Sequence, residues 1–310
     1  MKEVAPRARA IATLVGAAAV MCWASESALV TYAVRIPPFQ IAFLGLGGVA
    51  ALIIPYLLLR PRNALLLLRQ PRGAWALSVF GLLGFHVCLY HAVETAPPAQ
   101  AALLLGFTPL MIVVGSALLP GEHLRWWHLA GVIMGLSGAS WLVVADLSLP
   151  GGENTTGNPV HLLAALAAAM IWAIYSLGNR RFPDVPTLAV GPFCAAASLA
   201  AGIGHMLFEH WVAPNPAEWR AILALGLLPA GFASFLWDHA VKRGDIQVLG
   251  VVAYGEPLLG AAFVILVGAE SGGWRIVWAA ILIVGGAMLA LRISIPSNNS
   301  SQDSNRSYAR

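Results

Sequence analysis

Charge is what this sequence lacks. Of its 310 residues, 10% are Asp, Glu, Lys or Arg and 59% are hydrophobic, whereas a soluble domain carries roughly 25% charged residues. One water-soluble core cannot hide that much apolar surface, and the mean hydropathy of +0.76 points the same way. Lipid must be part of the solvent. Cysteine is scarce as well. Cys22, Cys88 and Cys194 all sit in apolar runs without paired spacing to histidine, which argues against a disulfide framework or a zinc motif. No G-x-x-x-x-G-K-[ST] run occurs, so no phosphate-cradling loop for ATP is expected. Nothing in the sequence asks for a cofactor or a metal. No loop is long enough to form a soluble domain, which argues against a sensor or chaperone-like subunit.

What is present is a series of apolar runs of spanning length. A span needs about 20 mostly apolar residues. Ten runs qualify: 10–33, 36–59, 73–94, 97–119, 126–145, 159–179, 186–209, 217–241, 245–267 and 274–292. The first has no small-residue cleavage site behind a short apolar core, so it reads as a retained helix. Pro and Gly mark most joins, among them Pro37-Pro38, Pro61, Pro71, Pro120-Gly121, Pro186 and Pro216. The expected fold is an all-α polytopic membrane protein with ten transmembrane helices. The tail 293–310 is polar, rich in Ser and Asn, and expected to be disordered.

The few charges are placed unevenly. With ten spans, fifteen of the eighteen Lys and Arg fall on the side of the termini, and only Arg35, Arg220 and Arg275 fall on the other. This asymmetry puts both termini in the cytoplasm. It also accounts for the net charge of +4 and pI near 9.2 without a nucleic-acid partner.

The chain repeats itself. At a constant offset of 148 residues, His91-Ala92-Val93 lies over His239-Ala240-Val241 and Pro109-Leu110 over Pro257-Leu258. Glu122 lies over Glu270, Trp126 over Trp274, and nearly the same offset puts Trp23 over Trp172. The expected division is a first half at 1–145, an outer linker loop at 146–158 and a second half at 159–292. Five spans is an odd number, so the second half must be inverted in the membrane. Inverted repeats are a common plan of secondary transporters, with the substrate site near the midplane between the halves.

These motifs resemble the drug/metabolite transporter superfamily, EamA-type. The residues that carry the likeness are Cys22-Trp23-Ala24-Ser25, Ile171-Trp172-Ala173-Ile174-Tyr175, Pro109 with Glu122, and Pro257 with Glu270. Spans one and six are similar to those of YddG-type amino acid exporters. The resemblance implies export of aromatic and other neutral amino acids across a bacterial inner membrane. It also implies that Phe85, Trp172 and Tyr254 line the substrate cavity. The chain departs from that pattern ahead of the span-four proline, where Gly106 and Thr108 stand in place of bulky aromatics. A broader substrate range is the consequence.

Ionisable groups at membrane depth are functional candidates, because each is costly to insert. Glu26, between Ser25 and Ser27, and Glu256, before Pro257, qualify. Either contacts a substrate amine or carries a coupling proton, and the bland alternative is a protonated carboxyl held between helices. Glu256 is the stronger candidate, since a proline beside it would free backbone carbonyls. Pro109 and Pro257 occupy matching places, as interrupted helices at transporter sites do; simple kinks are the alternative. Trp172, Tyr175 and Ser176 share a helix face. Phe85, His86 and Tyr90 in span three, with Trp23, Thr108 and Tyr254, complete a lining suited to an apolar or aromatic substrate. Trp126, Trp127, Trp219, Trp274 and Trp278 read instead as an interfacial belt. His91 and His239 are repeat mates and read as structure or gating. His86 and His91 are five apart, which does not match a zinc motif.

The function expected is therefore a secondary transporter exporting amino acids by alternating access. A transporter of another small metabolite or drug is the alternative, and an intramembrane enzyme would need a catalytic constellation that does not appear. The partners expected are amino acids and the bilayer, with protons as the candidate coupling ion and a monomer as the working form.

Overall fold

The computed structural model describes residues 5–30, 32, 33, 35–95, 104–147, 159–256, 258, 259 and 274–291. Among them the secondary structure is helical and no strand occurs. That follows from the composition: in lipid every backbone polar group must be satisfied within the chain, and a helix does so locally. Four helices are long and apolar enough to cross a membrane: Pro38–Leu59, Arg72–Glu94, Thr187–Phe208 and Pro216–Arg243. Phe107–Ser116, Leu163–Asn179 and Val277–Gly286 are shorter apolar helices.

In chain order the helices are α1 (Pro6–Trp23), α2 (Glu26–Val30), α3 (Pro38–Leu59), α4 (Pro61–Leu68) and α5 (Arg72–Thr95). Next come α6 (Phe107–Ser116), α7 (Trp126–Leu147), α8 (Pro159–Asn179) and α9 (Val190–Phe208). The last are α10 (Pro216–Leu225), α11 (Ala233–Arg243), α12 (Ile246–Val252) and α13 (Trp274–Leu291). Proline opens α1, α3, α4, α8 and α10, where its missing N–H would have had no partner in any case. At α10 the start is reinforced by a capping box: the Asn215 side chain accepts from the N–H of Ala217 and Glu218, and the Glu218 carboxylate accepts from the Asn215 N–H at 2.6 Å.

Each run read from the sequence overlaps at least one helix, but the runs are less uniform than expected. The first is split by a turn at Ala24-Ser25 into α1 and α2. The eighth is continuous but widens into a π-helix over Gly226–Phe232, around Pro229. Proline forces this: it lacks an N–H and its ring crowds the preceding turn, so the helix expands by one residue instead of breaking. Between the second and third runs lies α4, a short helix the hydropathy pattern did not separate from a loop. Pro257, Glu270, the loop 148–158 and the tail 293–310 lie outside the described residues.

The helices pack in pairs drawn from distant parts of the chain: α3 on α9, α5 on α8, α7 on α13 and α1 on α11. Small residues set the closest approaches. A side chain at Gly226 would run into the Gly45 carbonyl, so α3 and the π-helix meet backbone to backbone. Gly135 likewise lets the Tyr254 ring close on α7, while Gly48 has nothing near it.

Candidate functional site

The turn at Ala24-Ser25 has a local cause. The Ser25 hydroxyl donates to the Cys22 carbonyl at 2.7 Å and the Ser25 N–H goes to the same carbonyl at 3.2 Å. Both bonds span three residues where a continuing α-helix would span four, so they tighten the chain and end α1. The break sets Trp23 at the last position of α1 and Glu26 at the first of α2.

Around Trp23 the structure gathers a ring cluster from four helices. Trp23 meets Trp172 of α8 at 5.3 Å and Trp237 of α11 at 4.9 Å, both edge to face. Trp172 also meets Phe85 of α5 at 4.6 Å and Tyr175 at 5.1 Å. Two indole N–H groups lock the cluster. Trp23 Nε1–H donates to the Pro229 carbonyl at 3.1 Å, and Trp237 Nε1–H donates to Ser176 Oγ at 2.9 Å. The first bond uses the π-helix, so the proline that distorts α10–α11 also orients the tryptophan of α1. Trp172, Tyr175 and Ser176, expected on one face, are all buried at this cluster. Trp237, which the sequence pattern did not single out, is fully buried within it.

Polar groups adjoin the rings. Glu26 is buried, and the Tyr90 hydroxyl points at its Oε1 at 3.5 Å, at the long limit of a hydrogen bond. His86 stacks between Phe85 and Tyr90, with ring centroids 5.2 and 5.8 Å away, and its Nδ1 lies 2.7 Å from the Leu82 carbonyl. That backbone contact needs Nδ1 to carry the proton and leaves Nε2 as the acceptor. Glu256 follows the turn Ala253-Tyr254, its N–H bonded to the Ala253 carbonyl at 3.2 Å. Glu26, His86, Tyr90, Phe85, Trp23 and Trp172 thus come together.

Other candidates lie elsewhere. Tyr254 belongs to a separate apolar cluster with Val113, Val132, Val251 and Ile283, and its ring packs on Gly135. It buttresses the turn before Glu256 and does not join the Trp23 rings. Thr108 is half-buried. Pro109 is not itself a break: the interruption is at Gly106, and Pro109 sits in the first turn of α6. Proline fits a first helical turn, so the chain breaks ahead of it. Gly106 and Tyr254, in the two observed turns, are 148 residues apart, the offset of the repeat. His91 lies 3.9 Å from Glu94 and His239 lies 3.3 Å from Arg243; these two histidines do not meet.

The end of the bundle that holds the N-terminus is closed by charge. The Arg180 guanidinium pairs with Glu122 and donates to the carbonyls of Val241 and Gly244 at 2.9 and 3.0 Å. Arg9 reaches Asp245 at 3.0 Å and Glu122 at 3.6 Å. Asp245 in turn caps α12, and its N–H donates to the Thr13 hydroxyl at 2.9 Å. One network therefore joins α1, the α6–α7 loop, the end of α8 and the α11–α12 turn. Burial lowers the Arg180 pKa from its ordinary value, and the Glu122 carboxylate pulls it back. Lys242, one of the fifteen cations counted on the side of the termini, is not at the surface. It is buried, 2.7 Å from Asp238, and donates to the Val185 carbonyl at 3.1 Å.

Residues 10–144 and 160–292 each match the EamA-like transporter family. The chain belongs to this family. It is similar to the aromatic amino acid exporter YddG of Ancylobacter novellus, 39% identical over 285 residues that cover 91% of this chain and 97% of that protein. The exporter of the same name from Salmonella typhimurium is 22% identical over 296 residues, covering 90% of this chain and 96% of that one. A solved crystal structure, 38% identical, superposes with a TM-score of 0.83 over 92% of this chain and 98% of its own. The EamA-like chain is thus a multi-pass membrane transporter and not an enzyme.

Proposed function

We propose that the chain exports aromatic and other neutral amino acids across the inner membrane by alternating access. The observation that carries this reading is a buried carboxylate, Glu26, at a helix break and facing Tyr90, which leads through His86 and Phe85 to the rings of Trp172 and Trp23. An amino acid presents a cation and a side chain a few ångströms apart. Glu26 and Glu256 suit its ammonium group, and the rings suit an apolar or aromatic side chain. Tyr90 orients Glu26 and is itself held against the His86 ring. The names of the YddG exporters support the substrate class.

The architecture in this reading has ten spans in two inverted halves, 1–145 and 159–292, joined by an outer loop at 146–158. The tail 293–310 and both termini lie in the cytoplasm. The double family match and the paired turns at Gly106 and Tyr254 support the duplication. The protein works as a monomer. The charge network then seals the cytoplasmic end, below the ring cluster, and export requires the Arg180–Glu122 and Arg9–Asp245 pairs to open. Pro257, midway along its span, and His91 and His239, near the ends of theirs, act in the same movement.

Counterflow in proteoliposomes with a panel of labelled amino acids, run with and without a pH gradient, tests the reading. Exchange of phenylalanine, tryptophan and leucine is expected. Exchange of none of them overturns the substrate class and leaves a different small metabolite. Exchange that ignores the pH gradient assigns uniport, and exchange driven by it assigns Glu26 and Glu256 a coupling proton.

A further inference from the structure

The N-terminal end of the bundle sorts its cations into two groups. Arg9, Arg180 and Lys242 each face a carboxylate. Arg60, Arg62, Arg69 and Arg72 are exposed, and among the described residues none of them makes an ion pair. These four bracket α4, two at each end. From Arg60 to Val93 the sequence contains no Asp or Glu. The neighbouring loop, whose Phe182 ring approaches Gly73, brings Arg181 and Asp184, which cancel each other.

The helix between the arginines is apolar and fixed in place. Leu67 is buried against the bundle, while Leu65, Leu66 and Leu68 are 50%, 61% and 49% exposed. Trp75 Nε1–H donates to the Leu68 carbonyl at 3.3 Å, and Asn63 Nδ2–H donates to Tyr56 Oη at 2.9 Å. Arg62 and Arg69 are seven residues apart, two turns, so they share a face about 10 Å apart. Three outward leucines are unstable in water, and four unpaired guanidiniums are unstable in hydrocarbon. Both are satisfied at one place, the boundary where lipid phosphates meet acyl chains.

We propose that α4 and its four arginines form a docking surface for anionic phospholipid headgroups. The guanidinium fork matches phosphate oxygens in pairs, and the leucines lie against the first segments of the acyl chains. The occupant is lipid and not soluble phosphate, because phosphate alone would leave Leu65, Leu66 and Leu68 in water. This rests on the reading of the chain as a membrane transporter, but not on its orientation or its substrate.

The test is native mass spectrometry of the full chain in detergent, titrated with phosphatidylglycerol or phosphatidylcholine. The wild type should retain phosphatidylglycerol selectively, and R60Q/R62Q/R69Q/R72Q should reduce that retention about tenfold. The doubles R60Q/R62Q and R69Q/R72Q, each checked for a single folded species, should give intermediate losses, so a misfolded quadruple variant does not decide the matter. Equal retention of the two lipids overturns the proposal, as does unchanged phosphatidylglycerol binding in both doubles. Displacement of the lipid by inorganic phosphate at matched concentration overturns the assignment to lipid. Because detergent has no sides and the assay reads no transport, these failures are distinct from failure of the exporter reading.

Discussion

Helices α1 and α8 carry tryptophans at matching places in the repeat, and the two rings meet edge to face at 5.3 Å. Only α1 stops there. In α1 the residue after Ala24 is Ser25, whose hydroxyl turns back on Cys22; in α8 the counterpart at the near-repeat offset is Ile174, which has nothing to offer the backbone. The α8 helix therefore runs on and presents Tyr175 and Ser176 as a continuous wall, while α1 ends and swings Glu26 into the interior. A duplicated framework becomes a site when one copy keeps its regular hydrogen bonds and the other gives them up. The regular copy holds the rings, and the broken copy supplies the charge.

That comparison can be broken at several points, beginning with the largest effect. Trp172→Ala removes the ring that touches Trp23, Phe85 and Tyr175. It is expected to destabilise the fold by about 3 kcal/mol, read as a large fall in melting temperature in detergent; an unchanged melting temperature would show that α8 is not the supporting wall. Glu26→Gln keeps shape and removes charge. Counterflow of phenylalanine should fall about tenfold, the scale of one lost charged hydrogen bond, with normal yield and melting temperature. A loss in Glu256→Gln but not in Glu26→Gln would move the charged role from the broken α1 to the turn after α12.

Trp23→Phe and Trp237→Phe each keep a ring and delete an N–H. Each should destabilise by about 1 kcal/mol, and Trp23→Phe alone should also raise the half-saturating substrate concentration, because its bond to Pro229 sets the ring plane beside Glu26. Equal transport by the two variants would sink the distinction. The smallest effect belongs to Ser25→Ala, which takes away the competing hydroxyl. Transport should slow by about twofold, a fraction of one hydrogen bond; Ile174→Ser, the reverse change in α8, should leave stability within about 0.5 kcal/mol of the wild type.

Much of this was readable from residue order. Hydropathy located the apolar helices, and the Trp, Pro and Glu spacing located the repeat. Buried carboxylates stood out because charge at membrane depth is rare. The misses share a cause. Pro109 looked like a break, yet a proline in a first turn ends nothing, and the interruption moved to Gly106. Tyr254 looked like cavity lining, yet its ring turns to Gly135 and Val132. Lys242 counted among the cations on the side of the termini, yet Asp238 one turn away lets it be buried. The π-helix at Pro229 left no periodic signal, and α4, eight residues long, was too short to stand out as a run. In each case the outcome depended on local backbone geometry or on a contact partner, neither of which hydropathy records.

By itself, then, the order of residues determined the solvent, the helical class and the residue types that a transporter site needs, because these follow from hydropathy and the expense of burying charge. Tertiary structure alone decided that the Pro229 carbonyl would orient Trp23, that Tyr90 would face Glu26, and that Arg9 and Arg180 would find Glu122 and Asp245 while the arginines in and around α4 make no ion pair among the described residues. Those pairings join groups as far as 236 residues apart, as in the pair of Arg9 and Asp245. Side-chain direction and helix contact set them, and neither is written in a linear pattern.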